Sequence, residues 1–368
     1  MDLSELTTLR VGGPATRLLA PASSAELVDT TLGVWATGDD WLVLGGGSNV
    51  VVADGGFDGS VVRVLTRGVE RLESDAGTVA LRVQAGEPWD DLVALAVDSG
   101  WAGIEALSGI PGSSGAAPIQ NIGAYGQELA SSLVAIEFLD YETAELRRLP
   151  AEELEFGYRT SALKLGRRGL VVSIELRLSA NEGGLSDPIA YPQLASALGA
   201  NLGERVPVAD LRRAVLAVRA SKGMLLDAND PDSVSAGSFF TNPIVSEAFA
   251  RGLPSNAPRW EVAPDDAEPV VSPLEAFHPE NLPTRPPRQE RGVKLSAAWL
   301  IEHAGVTRGF RLPGSHAAVS TKHTLALVNA GGATAAEIAE LARYVQTRVL
   351  GAYGVILQPE PILVGIQL

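Results

Sequence analysis

Four short segments set polar or charged side chains among Gly, Pro or aromatic neighbours in a way that packing alone does not call for. They are Phe156-Gly-Tyr-Arg-Thr-Ser161, Ser221-Lys222-Gly223, Gly237-Ser238-Phe239-Phe240 and Pro359-Glu360-Pro361. Arg159 carries a planar fork of donors that suits a carboxylate better than a lysine would. Its ordinary alternative is a surface pair with Glu153 or Glu155. Ser238 follows a glycine and precedes two phenylalanines, which suits either a hydroxyl at the wall of a dry pocket or a packed turn. No Gly-x-Ser-x-Gly elbow surrounds it to mark a nucleophile. Glu360 sits between two prolines on a stiff, extended backbone, which fits a positioned carboxyl group or an edge-strand residue facing water.

Two glycine-dense loops suggest what such groups act beside. Gly45-Gly46-Gly47-Ser48-Asn49 directly follows the apolar run Trp41 to Leu44, and Gly109-Ile-Pro111-Gly112-Ser-Ser-Gly115 leads into Pro118-Ile119-Gln120-Asn121-Ile-Gly123-Ala124-Tyr125-Gly126. Backbone without side chains approaches an anion closely and aims consecutive N–H groups at it, so a dinucleotide is the first ligand to consider. The chain has no Gly-x-x-x-x-Gly-Lys-Ser/Thr and no Gly-x-Gly-x-x-Gly between a strand and a helix, which removes support from kinase, GTPase and Rossmann readings. A single glycine run is equally well a tight turn; two such loops in one chain are harder to dismiss.

With 368 residues the chain exceeds the size at which single cores stop growing, so two or three domains are expected. The net charge of -15 and the lack of basic runs argue against nucleic acid or an anionic membrane as partner. With no cysteine, disulfides, thiolate catalysis and Cys-based metal sites are excluded. The histidines, His278, His303, His316 and His323, show no ligand spacing and read as structural or surface groups, so no metal is expected. The start lacks a basic and an apolar leader region, and no apolar run approaches the ~18 to 20 residues of a spanning helix, so the expectation is a cytoplasmic protein.

The elements that would position these groups follow from pattern. Ser23 and Glu26 resemble a capping box opening a helix to about Ala36, with a strand at Trp41 to Leu44 after it. A strand at Val79 to Val83 precedes a helix from about Pro88 to Asp98, closed by Gly100. Strands at Leu133 to Leu139 and Leu170 to Leu178 and a helix from about Val208 to Ala220 lead to a boundary near Ser221 to Gly223. Nine of the 23 prolines lie between Pro254 and Pro287, among Asp265, Asp266 and Glu268, which predicts an extended, solvated insertion without a core. Beyond it the pattern predicts a helix from Lys294 to Ala304 stopped at Gly305, and a strand from His323 to Asn329. A helix capped by Thr334 and Glu337 then runs to about Leu350, and a strand pair lies within Val355 to Gly365. There is no internal repeat.

Taken together, the segments Thr8-Leu-Arg-Val-Gly-Gly-Pro14, Leu44 to Asn49, Gly109 to Gly112, Pro118 to Gly126, Phe156 to Ser161, Gly237 to Pro243, Lys294 to Ile301 and Gln358 to Glu360 resemble the UDP-N-acetylenolpyruvoylglucosamine reductase (UDP-N-acetylmuramate dehydrogenase) family, in that family's order, from about Thr7 to Gly365. The resemblance implies an α+β fold, with an FAD-binding domain of the vanillyl-alcohol-oxidase (PCMH) type in two subdomains, followed by a smaller α/β substrate-binding domain. The expected divisions are residues 1–70, joined by 351–368, for the first FAD subdomain, 71–222 for the second, and 223–350 for the substrate domain with its Pro-rich insert at about 254–291. That insert looks longer than the family needs.

The same resemblance implies NADPH as hydride donor, non-covalent FAD as relay, and a UDP-sugar whose enolpyruvyl ether becomes a lactyl ether in peptidoglycan precursor synthesis, with consequences for cell shape and division. No Cys and no His before residue 278 offers a covalent flavin anchor. The cofactor contacts it implies are Gly45, Gly46, Gly47, Ser48, Asn49, Gly109, Pro111, Gly112, Gly115, Ile119, Gln120, Asn121, Gly123 and Ala124. By likeness, Arg159 holds and polarises the enolpyruvyl carboxylate, Ser238 donates the final proton, and Glu360 is the partner acid. Lys222 is similar to the lysine that meets the UDP phosphates, Asn242 to an asparagine in the uracil and diphosphate pocket, and Tyr125 to a tyrosine lining the substrate site. Tyr158 and His323 join that pocket, and Tyr191, before Pro192, resembles the tyrosine on a substrate-covering loop of one subtype. A monomer is expected. Two other readings stay open at this point: an alcohol or sugar oxidase of the same FAD superfamily, and a UDP-sugar-binding protein without catalysis.

Overall fold

The structure, a computed structural model, describes residues 1–181, 183–262 and 292–368. The chain is α+β, as the sequence predicts. A parallel sheet is built from Ala15–Leu19, Phe57–Arg63 and Trp41–Leu44, with Phe57–Arg63 in the centre. The central strand carries the longest buried run of the three, as a strand covered on both faces must. The helix Ser24–Trp35 lies against this sheet through Leu27 and Val34. Ser23 accepts from the Glu26 N–H at 3.3 Å, whereas the Glu26 carboxylate reaches back to the Ala22 N–H at 3.0 Å, so only half of the predicted capping box forms.

The second sheet is antiparallel, in the order Leu146–Pro150, Leu133–Asp140, Gly169–Ser179, Thr78–Gln84, Val69–Leu72. Along Thr78–Gln84, Val79, Leu81 and Val83 are buried and alternate with half-buried neighbours, the period-two signature that made this strand legible. The helix Trp89–Asp98 covers that face with Trp89, Leu92, Val93 and Ala96, and Gly100 ends it at φ +73°. Val62 of the parallel sheet and Val64 just after its central strand share a core with Leu139, Leu170 and Val172 of the antiparallel one, which locks the two sheets together.

The C-terminal half holds two three-stranded antiparallel sheets: Ser235–Ser238, Ala326–Asn329, Ala317–Val319, and Ile244–Ser246, Gly292–Leu295, Arg259–Val262. The helix Ala335–Tyr353 packs Ile338, Leu341, Ala342 and Val345 into the core beneath the first of them. Three expectations are corrected here. Lys294 and Leu295 are strand, paired with Ile244 and with Trp260 and Arg259, and the helix starts only at Ala297, because Ser296 accepts from the Trp299 N–H at 3.2 Å and caps it there. The strand expected from His323 begins at Ala326, whose N–H turns back to the His323 carbonyl. Of the final pair only Ile362–Val364 is a strand, parallel to Val50–Val52, since Pro359 and Pro361 lack the N–H groups a continuing ladder needs. The Pro-rich insertion lies for the most part outside the described residues, at 263–291; its beginning is not a free excursion, because Arg259–Val262 pairs with Gly292–Leu295. Among the described residues no helix is long and apolar enough to cross a membrane.

The N-terminal and C-terminal halves meet at a helix end. Asp54 accepts from the N–H groups of Ala335 and Ala336 at 2.7 and 2.9 Å, while Thr334 and Glu337 close a complete capping box on the same helix. A carboxylate on these orphan donors also meets the positive end of the helix dipole. Asp54→Ala is expected to lower stability by about 1 to 2 kcal/mol, and Asp54→Asn by less, read as a fall in Tm of a few degrees by calorimetry.

Candidate active site

A cavity of about 730 Å³ opens where the two glycine loops, the segment around Arg159, the Ser238 strand end and Glu360 converge. Every residue expected above to act in catalysis or to touch cofactor or substrate lines it except Gly109 and Asn121. Those two do not line the cavity and are held by scaffold contacts. Gly109, at φ +71°, donates to Asp90 Oδ1 at 2.6 Å, and a Cβ there would lie 2.4 Å from Leu225. Asn121 is buried at φ 48°; its amide donates to Glu128 at 2.9 Å and to the Gly157 carbonyl at 3.2 Å and accepts from the Ala130 N–H at 3.0 Å. It fixes the loop whose neighbours line the cavity.

The glycine loops are pressed edge to edge. A Cβ on Gly46 would stand 2.6 Å from Gly112 Cα, and one on Gly45 would stand 2.3 Å from Ser113 Oγ. Ser48 Oγ ties the loops together by donating to the Pro111 carbonyl at 2.9 Å. Only bare backbone fits, which leaves a groove walled by main chain, the arrangement that suits a pyrophosphate. Two buried polar atoms in this region have no partner: Ser114 Oγ and Nε of Arg219, a residue that itself lines the cavity. Unpaired buried donors are costly, and of the two only Arg219 belongs to the cavity lining, where an anion would offset its charge. The residues present therefore fit FAD, and the bare main chain of Gly45 to Asn49 and Pro111 to Ser113 is where its phosphates would be held.

Arg159 is held by geometry that surface pairing would not supply. Its backbone sits at φ 55°, a strained left-handed conformation for a non-glycine residue, costing roughly 1 to 3 kcal/mol. Its guanidinium donates to the carbonyls of Asn121, at 3.3 Å, and Gly123, and its Nε stands 3.4 Å from Glu360 Oε1. Glu153 pairs instead with Arg167, so the surface-pair alternative is not realised.

Glu360 is stitched in by backbone: its N–H donates to Phe239 O at 2.9 Å, and the next strand begins with the Ile362 N–H on Asn49 O at 2.9 Å. The main chain here thereby bridges the end of the Ser238 strand and the first glycine loop, and the carboxyl meets Gln120 and Arg159 instead of facing water. Burial pushes its pKa above the ordinary carboxylate range, against the opposing pull of Arg159 and Lys164.

Ser238 ends its strand after Gly237, at φ +75°, and is pinned by Phe239 and Phe240, both buried and packed edge-to-face at 5.2 Å. The other side of the cavity is aromatic and basic. Tyr125 and Tyr191 meet edge-on at 5.6 Å; Lys222 lies 5.8 Å above the Tyr125 ring and donates to Gln193 at 2.8 Å. Tyr191 precedes the helix Pro192–Leu198 and is 41% exposed, so it covers the cavity edge without being locked into it. His323 is held near pKa 4, first by burial and then by the positive Lys222 and Arg308, and is a neutral imidazole at neutral pH. Asn242 spends its carbonyl oxygen on the Ala297 N–H at 2.9 Å, and its side chain also reaches the Tyr158 hydroxyl at the cavity wall.

Sequence reasoning missed Lys164, Arg219 and Lys294, all lining the same cavity. Lys164 lies five residues after Arg159 in the same segment. Arg219 precedes Lys222 by three, one helical turn, so both project to one side at the end of the helix Val208–Ser221; that spacing was the available signal. Lys294, 4.9 Å over the Tyr158 ring, had none, since it was assigned to a helix.

Comparison with known proteins agrees with this geometry. A family model described as "UDP-N-acetylenolpyruvoylglucosamine reductase, C-terminal domain" matches residues 230–364, and one described as "FAD binding domain" matches residues 15–149. UDP-N-acetylenolpyruvoylglucosamine reductase of Leifsonia xyli is 61% identical over 100% of this chain and 98% of that protein. The protein of the same name from Thermobifida fusca is 46% identical over 100% and 98%. The crystal structure of the Thermus caldophilus reductase matches with a TM-score of 0.61 at 27% identity, covering 99% of this chain and 97% of that one.

Proposed function

The chain belongs to the UDP-N-acetylenolpyruvoylglucosamine reductase family, and on that premise we propose that it is the NADPH-dependent, FAD-mediated reductase that converts the enolpyruvyl ether of UDP-N-acetylglucosamine to UDP-N-acetylmuramate. The observation that carries this reading is the convergence of Arg159, Ser238 and Glu360 on one cavity walled by two glycine loops. Bound FAD would supply the two-electron relay between NADPH and the enol ether. The chain's residues supply the rest. With Nη1 and Nη2 donating to the carbonyls of Asn121 and Gly123 and Nε 3.4 Å from Glu360, the Arg159 fork is fixed in plane and keeps further N–H groups for a carboxylate. A fixed cation there stabilises the negative charge that develops beside the carboxylate when the neighbouring carbon is reduced.

Ser238 is a weak acid near neutrality, so it serves as proton donor only toward a strongly basic carbon and from a held position. Glu360, with its pKa raised by burial, keeps its proton further up the pH scale than a free carboxyl and donates a hydrogen bond to the same developing charge. Lys222, the amide of Asn242 and neutral His323 take the diphosphate and uridine side, beneath Tyr125 and Tyr191. Residues 1–70 with 351–368, and 71–222, serve as the two FAD-binding halves and 223–350 as the substrate half. The pairing of Ile362–Val364 with Val50–Val52 supports joining the C-terminal strand to the first half, although the C-terminal-domain match itself runs to residue 364. The reaction belongs to cytoplasmic peptidoglycan precursor synthesis. Incubated with NADPH and the enolpyruvyl UDP-sugar, the protein is expected to form a product heavier by two hydrogens. Hydrogen peroxide formation with no reduced sugar would point to the oxidase instead.

A further inference from the structure

Around Glu360 the donors and acceptors are arranged asymmetrically. Asn49 Nδ2 donates to Gln120 Oε1 at 2.7 Å and to the Glu360 carbonyl at 3.3 Å. Lys164 Nζ repeats the pattern, donating to the same carbonyl at 3.1 Å and to Gln120 Oε1 at 3.4 Å. With its oxygen claimed by two donors, the Gln120 amide can present only its NH₂ to the carboxyl, and Nε2 donates to Glu360 Oε1 at 3.3 Å. The Arg159 Nε stands 3.4 Å from the same oxygen. Oε1 thus faces two groups that can only donate, and among the described residues no hydrogen bond or ion pair reaches Oε2.

We propose that Lys164 and Asn49, acting through Gln120, are positioning residues that keep Oε1 of Glu360 an obligate acceptor and so place its proton on Oε2. A proton on Oε1 would point at two donors and cost a buried hydrogen bond; on Oε2 it is free to meet a ligand in the cavity. This rests on the reading of Glu360 as an acid in the reaction. The charged and titratable groups facing it are Arg159, Lys164 and the Tyr158 hydroxyl, all from the segment Tyr158 to Lys164. Lys164 opposes proton retention by its charge while enforcing its location through Gln120.

Two readouts separate these effects in Lys164→Met, Lys164→Arg and Gln120→Met. In the first, removal of the cation extends the protonated form of Glu360 upward, so the alkaline limb of the rate of oxidation by the enolpyruvyl UDP-sugar moves to higher pH in Lys164→Met. The plateau rate falls roughly 10- to 100-fold because the proton is less well placed, and Lys164→Arg restores both. In the second, the infrared C=O band of the protonated carboxyl, assigned by its loss in Glu360→Gln and measured without substrate, shifts to higher frequency in Gln120→Met and, more weakly, in Lys164→Met, because a C=O that loses a donor stiffens. An unmoved pH limb together with an unmoved band in Lys164→Met would overturn the proposal. Should Lys164→Met fail to fold, an unmoved band in Gln120→Met would overturn it equally. If Glu360→Gln itself leaves the rate unchanged, it is the acid role of Glu360 that fails, whatever the band shows.

Discussion

Arg159→Ala is expected to slow oxidation of the NADPH-reduced enzyme by the enolpyruvyl UDP-sugar by roughly 10² to 10³, about 3 to 4 kcal/mol of transition-state stabilisation, with a far smaller effect on reduction by NADPH. The side chain is the fixed cation of the cavity, anchored by Asn121, Gly123 and Glu360, and alanine removes the charge and its anchors together. Arg159→Lys recovers only part, since a point charge cannot keep the planar fork on those partners. Arg159→Gly separates function from folding. Position 159 sits at φ 55°, where glycine carries no steric penalty, so this variant is expected to keep or raise Tm relative to Arg159→Ala while remaining as inactive. Stopped-flow of the two half-reactions with parallel thermal melts checks both halves of that statement. Equal slowing of both half-reactions would assign Arg159 to general architecture.

Ser238→Ala carries the second large effect. If its hydroxyl supplies the proton to carbon, its removal costs roughly 10² to 10⁴ in the substrate half-reaction, the usual range for a positioned proton donor. Binding of the UDP-sugar should be nearly unchanged, because Lys222, Asn242 and the aromatic edge supply it. The backbone at Ser238 is set by Gly237 and by the buried rings of Phe239 and Phe240, so alanine leaves the local fold intact. Loss of rate with an unchanged dissociation constant supports proton donation; a proportionate loss of affinity would make Ser238 a binding group.

Much of this was legible because local rules and global packing agree. The alternation in Thr78–Gln84, the Thr334 capping box and Gly100 after the helix Trp89–Asp98 each follow from nearby residues. Short segments with Gly, Pro or aromatics around one polar group marked Arg159, Ser238 and Glu360. What was not legible depends on distant partners. Lys294 looks helical beside Ala297 to His303 and becomes strand because Val245 and Glu261 pair with Val293 and Ser296 caps the helix. Gly109 and Asn121 belong to glycine-rich motifs, yet their contacts to Asp90, Leu225, Glu128 and Gly157, distant in sequence or unmarked by spacing, set them back from the cavity lining. Lys164 stands by Glu360 only because the C-terminal segment returns to the first glycine loop, a contact spanning 196 residues. Spacing along the chain carries no trace of that approach.

The most direct test of the central claim is an anaerobic absorbance titration of the FAD-loaded protein with NADPH, followed by the enolpyruvyl UDP-sugar. A visible FAD band that NADPH bleaches and the UDP-sugar promptly restores, with oxygen absent, is the result predicted. A band that recovers only when oxygen is admitted, or protein that binds the UDP-sugar yet holds no FAD, would contradict it.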